Sequence, residues 1–329
     1  MIKTVGVARD NKDVHAIDIW QDGLSATILT WGGVLQDLRL LGHNSPLVLG
    51  FPKFKHYPRY SPFFGAIVGR FANRINDGKA IINGDSYQLD TNYLGKHMLH
   101  GGTANYGNVC WDIADHDHNF VELSLTDPDG MMGFPGKCDV LCRYEIKPGN
   151  KLSITMTAAT NAPTIFNPAH HSYFCLDDQN DIRGHELQIG ARHYLPTNAE
   201  LIPTGEVAKV IGTDFDFTSM RQIGDRQYDN NFCTGFKRSQ MRNVAALRSP
   251  FSGVKMTVST TEPGLQLYTG HKLGPPVRGH IKPLYRAFSG ICLEPQGWPD
   301  SPNHTDFPSA LLLPGSQYVQ KSEFTFSID

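Results

Sequence analysis

The sequence predicts an all-β protein of antiparallel strands, and three observations carry that expectation. Several windows alternate apolar and polar residues with period two, the pattern of a strand with one buried face. No convincing amphipathic helix is visible beside them. The 32 Gly and 21 Pro punctuate the chain at short intervals, which suits many short strands joined by turns.

Along the chain, the first local signal is Asn83-Gly84, a hairpin dipeptide that accepts positive φ at both positions. Val121, Leu123 and Leu125 then alternate with Glu122 and Ser124. Leu152, Ile154, Met156 and Ala158 alternate with Ser153, Thr155 and Thr157 in the clearest window. Val254, Met256 and Val258 flank Lys255 and Thr257, and Phe324, Phe326 and Ile328 repeat the pattern near the end. Gly274-Pro275-Pro276 reads as a loop between strands. No fixed-period repeat or low-complexity linker divides the chain. With 329 residues and 40% hydrophobic content it can bury one large core, so a single domain over 1–329 is expected.

A formal net charge of -2 and the lack of any Lys/Arg-rich run argue against a nucleic-acid or anionic-membrane partner and favour a small neutral ligand. The N-terminal stretch turns charged within ten residues, unlike the apolar core of a signal peptide, and no later apolar run approaches a membrane span. A cytoplasmic location is the expectation. Six scattered cysteines with no CxxC pair indicate neither zinc ribbon nor redox motif, and disulfides are not expected. No coiled-coil or other assembly motif specifies an oligomeric state.

Three segments concentrate groups that can do chemistry. The first, Gly69-Arg70-Phe71-Ala72-Asn73-Arg74-Ile75, is followed by Leu99-His100-Gly101-Gly102. Asn73 and Arg74 can donate hydrogen bonds to hydroxyls, and His100 stands beside two glycines where backbone can approach a ligand closely. A surface salt-bridging arginine and a turn histidine fit the same residues. The second is Asn167-Pro168-Ala169-His170-His171-Ser172-Tyr173-Phe174. Neighbours on a strand face opposite ways, so at most one of the two histidines faces a given pocket, which argues against paired metal ligation. The third runs from Ile291 to His304 and contains Glu294, read as ending a strand with its carboxylate turned into a cleft. A partly desolvated carboxylate there becomes a base near neutral pH. Trp298 can stack on a sugar or sit in the core. Asp229 and Gln266 can bind hydroxyls or serve as a turn aspartate and an exposed strand glutamine.

In this order, GRFANRI, LHGG, HSYF, YDNNF, EPGLQLYTG and LEPQGWPDSPNH resemble the aldose 1-epimerase (galactose mutarotase) family, from about Thr30 to near the C-terminus. The resemblance implies a large antiparallel β-sandwich, in agreement with the alternation. It implies His171 as the acid at the ring oxygen and Glu294 as the base at the anomeric hydroxyl. His100, Arg74 and Asn73 would bind and polarise the sugar, and Asp229 and Gln266 would hold hydroxyls farther round the ring. The partner would be a monosaccharide. No hydride moves and no covalent intermediate is required, so no cofactor and no metal are expected.

Ala169-His170 stands where Thr-Asn is usual in the family, Cys175 where Asn is common, Asn230 where His is common, and Pro295 where a small hydroxyl residue is usual. These differences bear on substrate preference more than on reaction type. Two enzyme alternatives remain, a phosphohexose epimerase using Arg70, Arg74 and Lys96 and a metal-dependent hydrolase. A non-catalytic sugar binder on the same fold is the third, since fold does not fix function.

Overall fold

The computed structural model describes residues 1–280 and 284–329. The alternating windows form the centre of a nine-stranded antiparallel sheet. Its middle strands are Cys138–Lys147, Lys151–Thr160, Tyr318–Ile328 and Val254–Thr260, hydrogen-bonded in that order. Leu152, Ile154, Met156 and Ala158 all point inward. Two details depart from strict alternation: Ser153 is also buried, and Ile328 is exposed because it ends the last strand.

A second, six-stranded antiparallel sheet runs Tyr173–Phe174, Ile291–Gln296, Gly264–Tyr268, Asp229–Cys233, His193–Tyr194 and Ala208–Lys209. One face of this sheet carries Phe232, Leu265, Leu267, Ile291 and Leu293. These join Leu123, Ile154, Met256 and Phe324 of the nine-stranded sheet in one hydrophobic cluster. Period-two alternation then sends Asp229, Asn231, Gln266 and Glu294 to the opposite face. A four-stranded N-terminal sheet, Ile2–Val7 to Val34–Leu40, packs into the same cluster through Val14, Ile17 and Leu38. Burying both faces of the six-stranded sheet, one apolar and one polar, is what creates an enclosed polar site.

The Asn83-Gly84 dipeptide joins Lys79–Ile82 to Asp85–Gln88, with φ of 51° and 95°. A Cβ on Gly84 would meet no atom within 4 Å, so the only cost of adding one is conformational. Gly84→Ala is therefore expected to lower unfolding free energy by about 1 kcal/mol; an unchanged denaturation midpoint would count against this turn geometry.

All six cysteines are buried and free. Among the described residues no helix is long and apolar enough to cross a membrane.

Candidate active site

The polar face of the six-stranded sheet floors a cleft of about 190 Å³. Asn73, Arg74, His100, His171, Asp229, Gln266 and Glu294 all line it, with Phe63, Tyr93, Tyr173, Tyr268 and Lys272 among their neighbours. Glu294 lies in the middle of its strand, and this corrects the expected strand end. Beyond Cys292 that strand pairs, among the described residues, only with Gly264–Tyr268, so Pro295, which has no N–H to donate, is accommodated and the strand continues to Gln296.

Glu294 is 1% exposed. Its Oε1 stands 3.7 Å from Nε2 of His171, and its Oε2 has no hydrogen-bond partner among the described residues. Burial, reinforced by the nearby charge of Asp229 and opposed by Arg74, pushes its carboxyl well above the ordinary range. His171 comes from the short strand Ala169–His171, paired with Ala66–Val68. Burial lowers its imidazole to about 4. Its Nδ1 lies 3.6 Å from Sγ of Cys292, and the ring sits among Phe63, His100 and Tyr173. His170 faces the other way, packing on Tyr144 and Phe324 and bonding Ser172.

His100 and Asn73 bond reciprocally: the Asn73 N–H donates to Nδ1 of His100 and the His100 N–H to the Asn73 carbonyl. With Nδ1 accepting, the ring proton resides on Nε2, which makes His100 a donor toward the cleft. Burial, with His171 and Arg74 nearby, holds His100 well below its ordinary value and therefore neutral. The close approach anticipated at its glycines is made by the protein itself: a Cβ on Gly101 would stand 2.0 Å from the Gly69 carbonyl oxygen.

Arg74 is no surface residue. It is 7% exposed, donates to Oδ2 of Asp229 at 3.1 Å and to Oδ1 of Asn73 at 3.3 Å, and lies over the Tyr93 ring. Asp229 in turn accepts from Nε2 of Gln266 at 2.7 Å. This Arg74–Asp229–Gln266 network presents donors and acceptors in fixed positions, as recognition of several hydroxyls requires.

Arg70 and Lys96 lie elsewhere. Arg70 is buried on Asp127 and on the carbonyls of Pro135 and Gly136, and Lys96 pairs with Glu200. Trp298 is core, completely buried against Phe307 with Nε1 donating to the Pro263 carbonyl. Among the described residues, two buried clusters have metal-ligand residue types. In His171, Cys292 and Glu294, the thiol and the carboxylate lie 3.6 and 3.7 Å from different ring nitrogens. In Cys175, Asp177 and His185, the His185 Nε2 already accepts the Leu176 N–H, and Asp177 accepts from Ser249 and Gln179.

The family model for aldose 1-epimerase matches residues 16–325. Galactose mutarotase of Mus musculus is 38% identical over 328 residues, covering 96% of this chain and 94% of its own. That of Sus scrofa is 37% identical with the same coverage. The chain belongs to the aldose 1-epimerase family. It is accordingly an isomerase, and its fold is the galactose mutarotase-like β-sandwich. The solved structure of an aldose epimerase homologue from C. elegans superposes with a TM-score of 0.89 at 29% identity, covering 95% of this chain and 98% of that one.

In this aldose 1-epimerase the tail of LEPQGWPDSPNH has a scaffolding part that the sequence reading missed. The Asp300 N–H donates to the Arg74 carbonyl, and its carboxylate accepts from the Asn76 N–H, Asn303 and His304. Asp300 thereby clamps the strand that delivers Arg74. Tyr173 and Tyr268, also missed, were signalled by alternation, being two residues from His171 and Gln266 on the same faces. Phe63 and Tyr93 arrive on irregular segments and carry no such signal.

Proposed function

We propose that this family member interconverts the α and β anomers of a free aldose, galactose or glucose first, with Glu294 as base and His171 as acid. The observation that carries this reading is the buried pair itself, Oε1 and Nε2 3.7 Å apart, in a cleft otherwise lined by hydroxyl-binding groups. Glu294 takes the proton of the C1 hydroxyl as the bond from C1 to the ring oxygen breaks, and His171 gives a proton to that oxygen. The open aldehyde turns about C1–C2. On reclosure the chain hydroxyl returns its proton to His171 while Glu294 protonates the carbonyl oxygen. His100 Nε2 and Arg74 donate to sugar oxygens, and Asp229 and Gln266 hold hydroxyls farther round the ring.

The two groups share one proton throughout. Before ring opening it is on His171; in the open-chain intermediate it is on Glu294. Burial disfavours the ion pair and favours the neutral arrangement, which is the protonation state of the intermediate. The ion pair that opens the ring is therefore the less favoured arrangement of the empty site, and Arg74 beside Glu294 supports it by stabilising the carboxylate.

Polarimetry of freshly dissolved α-D-galactose and α-D-glucose tests the reading. Acceleration over buffer is expected, and no acceleration across these, arabinose and fucose would remove it. A phosphohexose would find Lys272 at the cleft but neither Arg70 nor Lys96, so galactose is expected to be preferred over glucose 6-phosphate.

The pH dependence follows from the shared proton. A second proton enters the pair only as pH falls through about 4, where burial holds His171; above that the pair keeps one proton until Glu294, raised by burial, loses it. The enzymatic kcat/KM is expected to fall below about pH 5 and to stay flat above it until Glu294 gives up the shared proton. An acid limb at pH 6 or higher would contradict the depressed imidazole.

A further inference from the structure

The polar face that carries the cleft continues beyond the residues lining it. Register sets Glu294, Gln266 and Asn231 side by side on three neighbouring strands, and Gln296 follows Glu294 two residues later on the same face. All four are buried, Asn231 at 2% and Gln296 at 0% exposure. Their polar atoms are left over: Oε2 of Glu294, Oε1 of Gln266 and both amide atoms of Asn231 and of Gln296 have no hydrogen-bond partner among the described residues. Gly264 lets Asn231 and Trp298 pack closely against its backbone. It pairs with Gln296, and a Cβ there would stand 2.5 Å from Oδ1 of Asn231 and 3.1 Å from Cδ1 of Trp298. Buried polar groups are paired with protein or with ordered water, and a water takes a site that offers room and about two to four polar partners.

We propose that Asn231 and Gln296 are positioning residues for the reaction, holding ordered water against Oε2 of Glu294 so that Oε1 is aimed at the sugar hydroxyl. This rests on Glu294 being the base. Neither amide lines the cleft, so neither is a sugar contact. Hydrogen bonds donated by such water to Oε2 stabilise the carboxylate against the burial that opposes it. They also stop the carboxylate from turning, since Oε1 alone faces Nε2 of His171. The charged and titratable groups around Glu294 are His171, His100, Arg74, Asp229, Cys292 and Tyr173. Cys233, kept protonated by burial, neighbours Asn231. Altering the two amides leaves the groups around Glu294 themselves in place.

Asn231→Leu and Gln296→Met keep approximate size and remove the amides. With the aldose that the unaltered enzyme turns over fastest, each is expected to lower kcat roughly tenfold to hundredfold with KM within about twofold. The alkaline limb of the pH profile should move upward, because lost donors disfavour the carboxylate. Unchanged kcat and limb in both variants overturn the proposal, as does a loss that merely follows the folded fraction. A crystal structure of the unaltered protein that resolves waters decides the matter independently, also where the variants fail to fold. Water bonded to Oε2 and to the amide of Asn231 or Gln296 is expected, and a dry site or a direct amide–carboxylate bond overturns it. If no aldose is turned over, the proposed function fails, and that crystal structure alone still tests the water.

Discussion

Glu294→Gln is expected to lower kcat for anomerisation by roughly 10²–10⁴-fold, the usual contribution of a positioned general base, while sugar binding stays measurable. The substitution keeps shape and replaces one oxygen with an amide that cannot accept the anomeric proton. It should not destabilise the fold. Burial raises the Glu294 carboxyl well above its ordinary range, so at neutral pH the folded state bears the cost of keeping it protonated or of burying its charge, and a neutral side chain of equal size bears neither. The expected signature is thus a large loss of rate with an unchanged or raised Tm, the trade-off of a residue kept for function. Polarimetry with calorimetry on the same preparation reads both, and near-normal kcat would end the assignment of Glu294 as base.

How far the sequence discloses this site follows from what alternation can and cannot say. The strands at 151–160 and 254–260 are legible because each has one buried face, and Asn83-Gly84 because few residues accept two successive positive φ values. Alternation also separates His171 from His170, and places Gln266 opposite Leu265 and Leu267. It gives no help within GRFANRI. There Arg70 and Arg74 are alike in type, and only tertiary contacts assign one to Asp127 and the other to Asp229. Glu294 reads as a strand end because it follows an apolar run and precedes a Pro-rich stretch, and that inference fails where a strand with one open flank accommodates Pro295. Trp298 has the chemistry of a sugar platform and is used as core, since its Nε1 finds a partner in the Pro263 carbonyl. The match over residues 16–325 resolves the family, and in the sequence the resemblance to it rests on the order of the segments. Singly, each segment fits an ordinary structural role.

His171→Asn combined with Glu294→Gln distinguishes one shared proton from two separate contributions. Alone, His171→Asn is expected to cost about as much as Glu294→Gln, roughly 10²–10⁴-fold in kcat. Asparagine has no group that titrates and cannot hand a proton to the ring oxygen, although the pocket of Phe63, His100 and Tyr173 around it remains. If acid and base acted independently, the double variant would show the product of the two losses. With a single proton passing between Nε2 and Oε1 through the sugar, removing either group already stops the relay, and removing the second takes away little more. The double variant is therefore expected within about tenfold of the slower single variant. Multiplicative losses, measured by polarimetry at pH 7 after subtracting the spontaneous rate, would mean that His171 and Glu294 do not exchange a common proton.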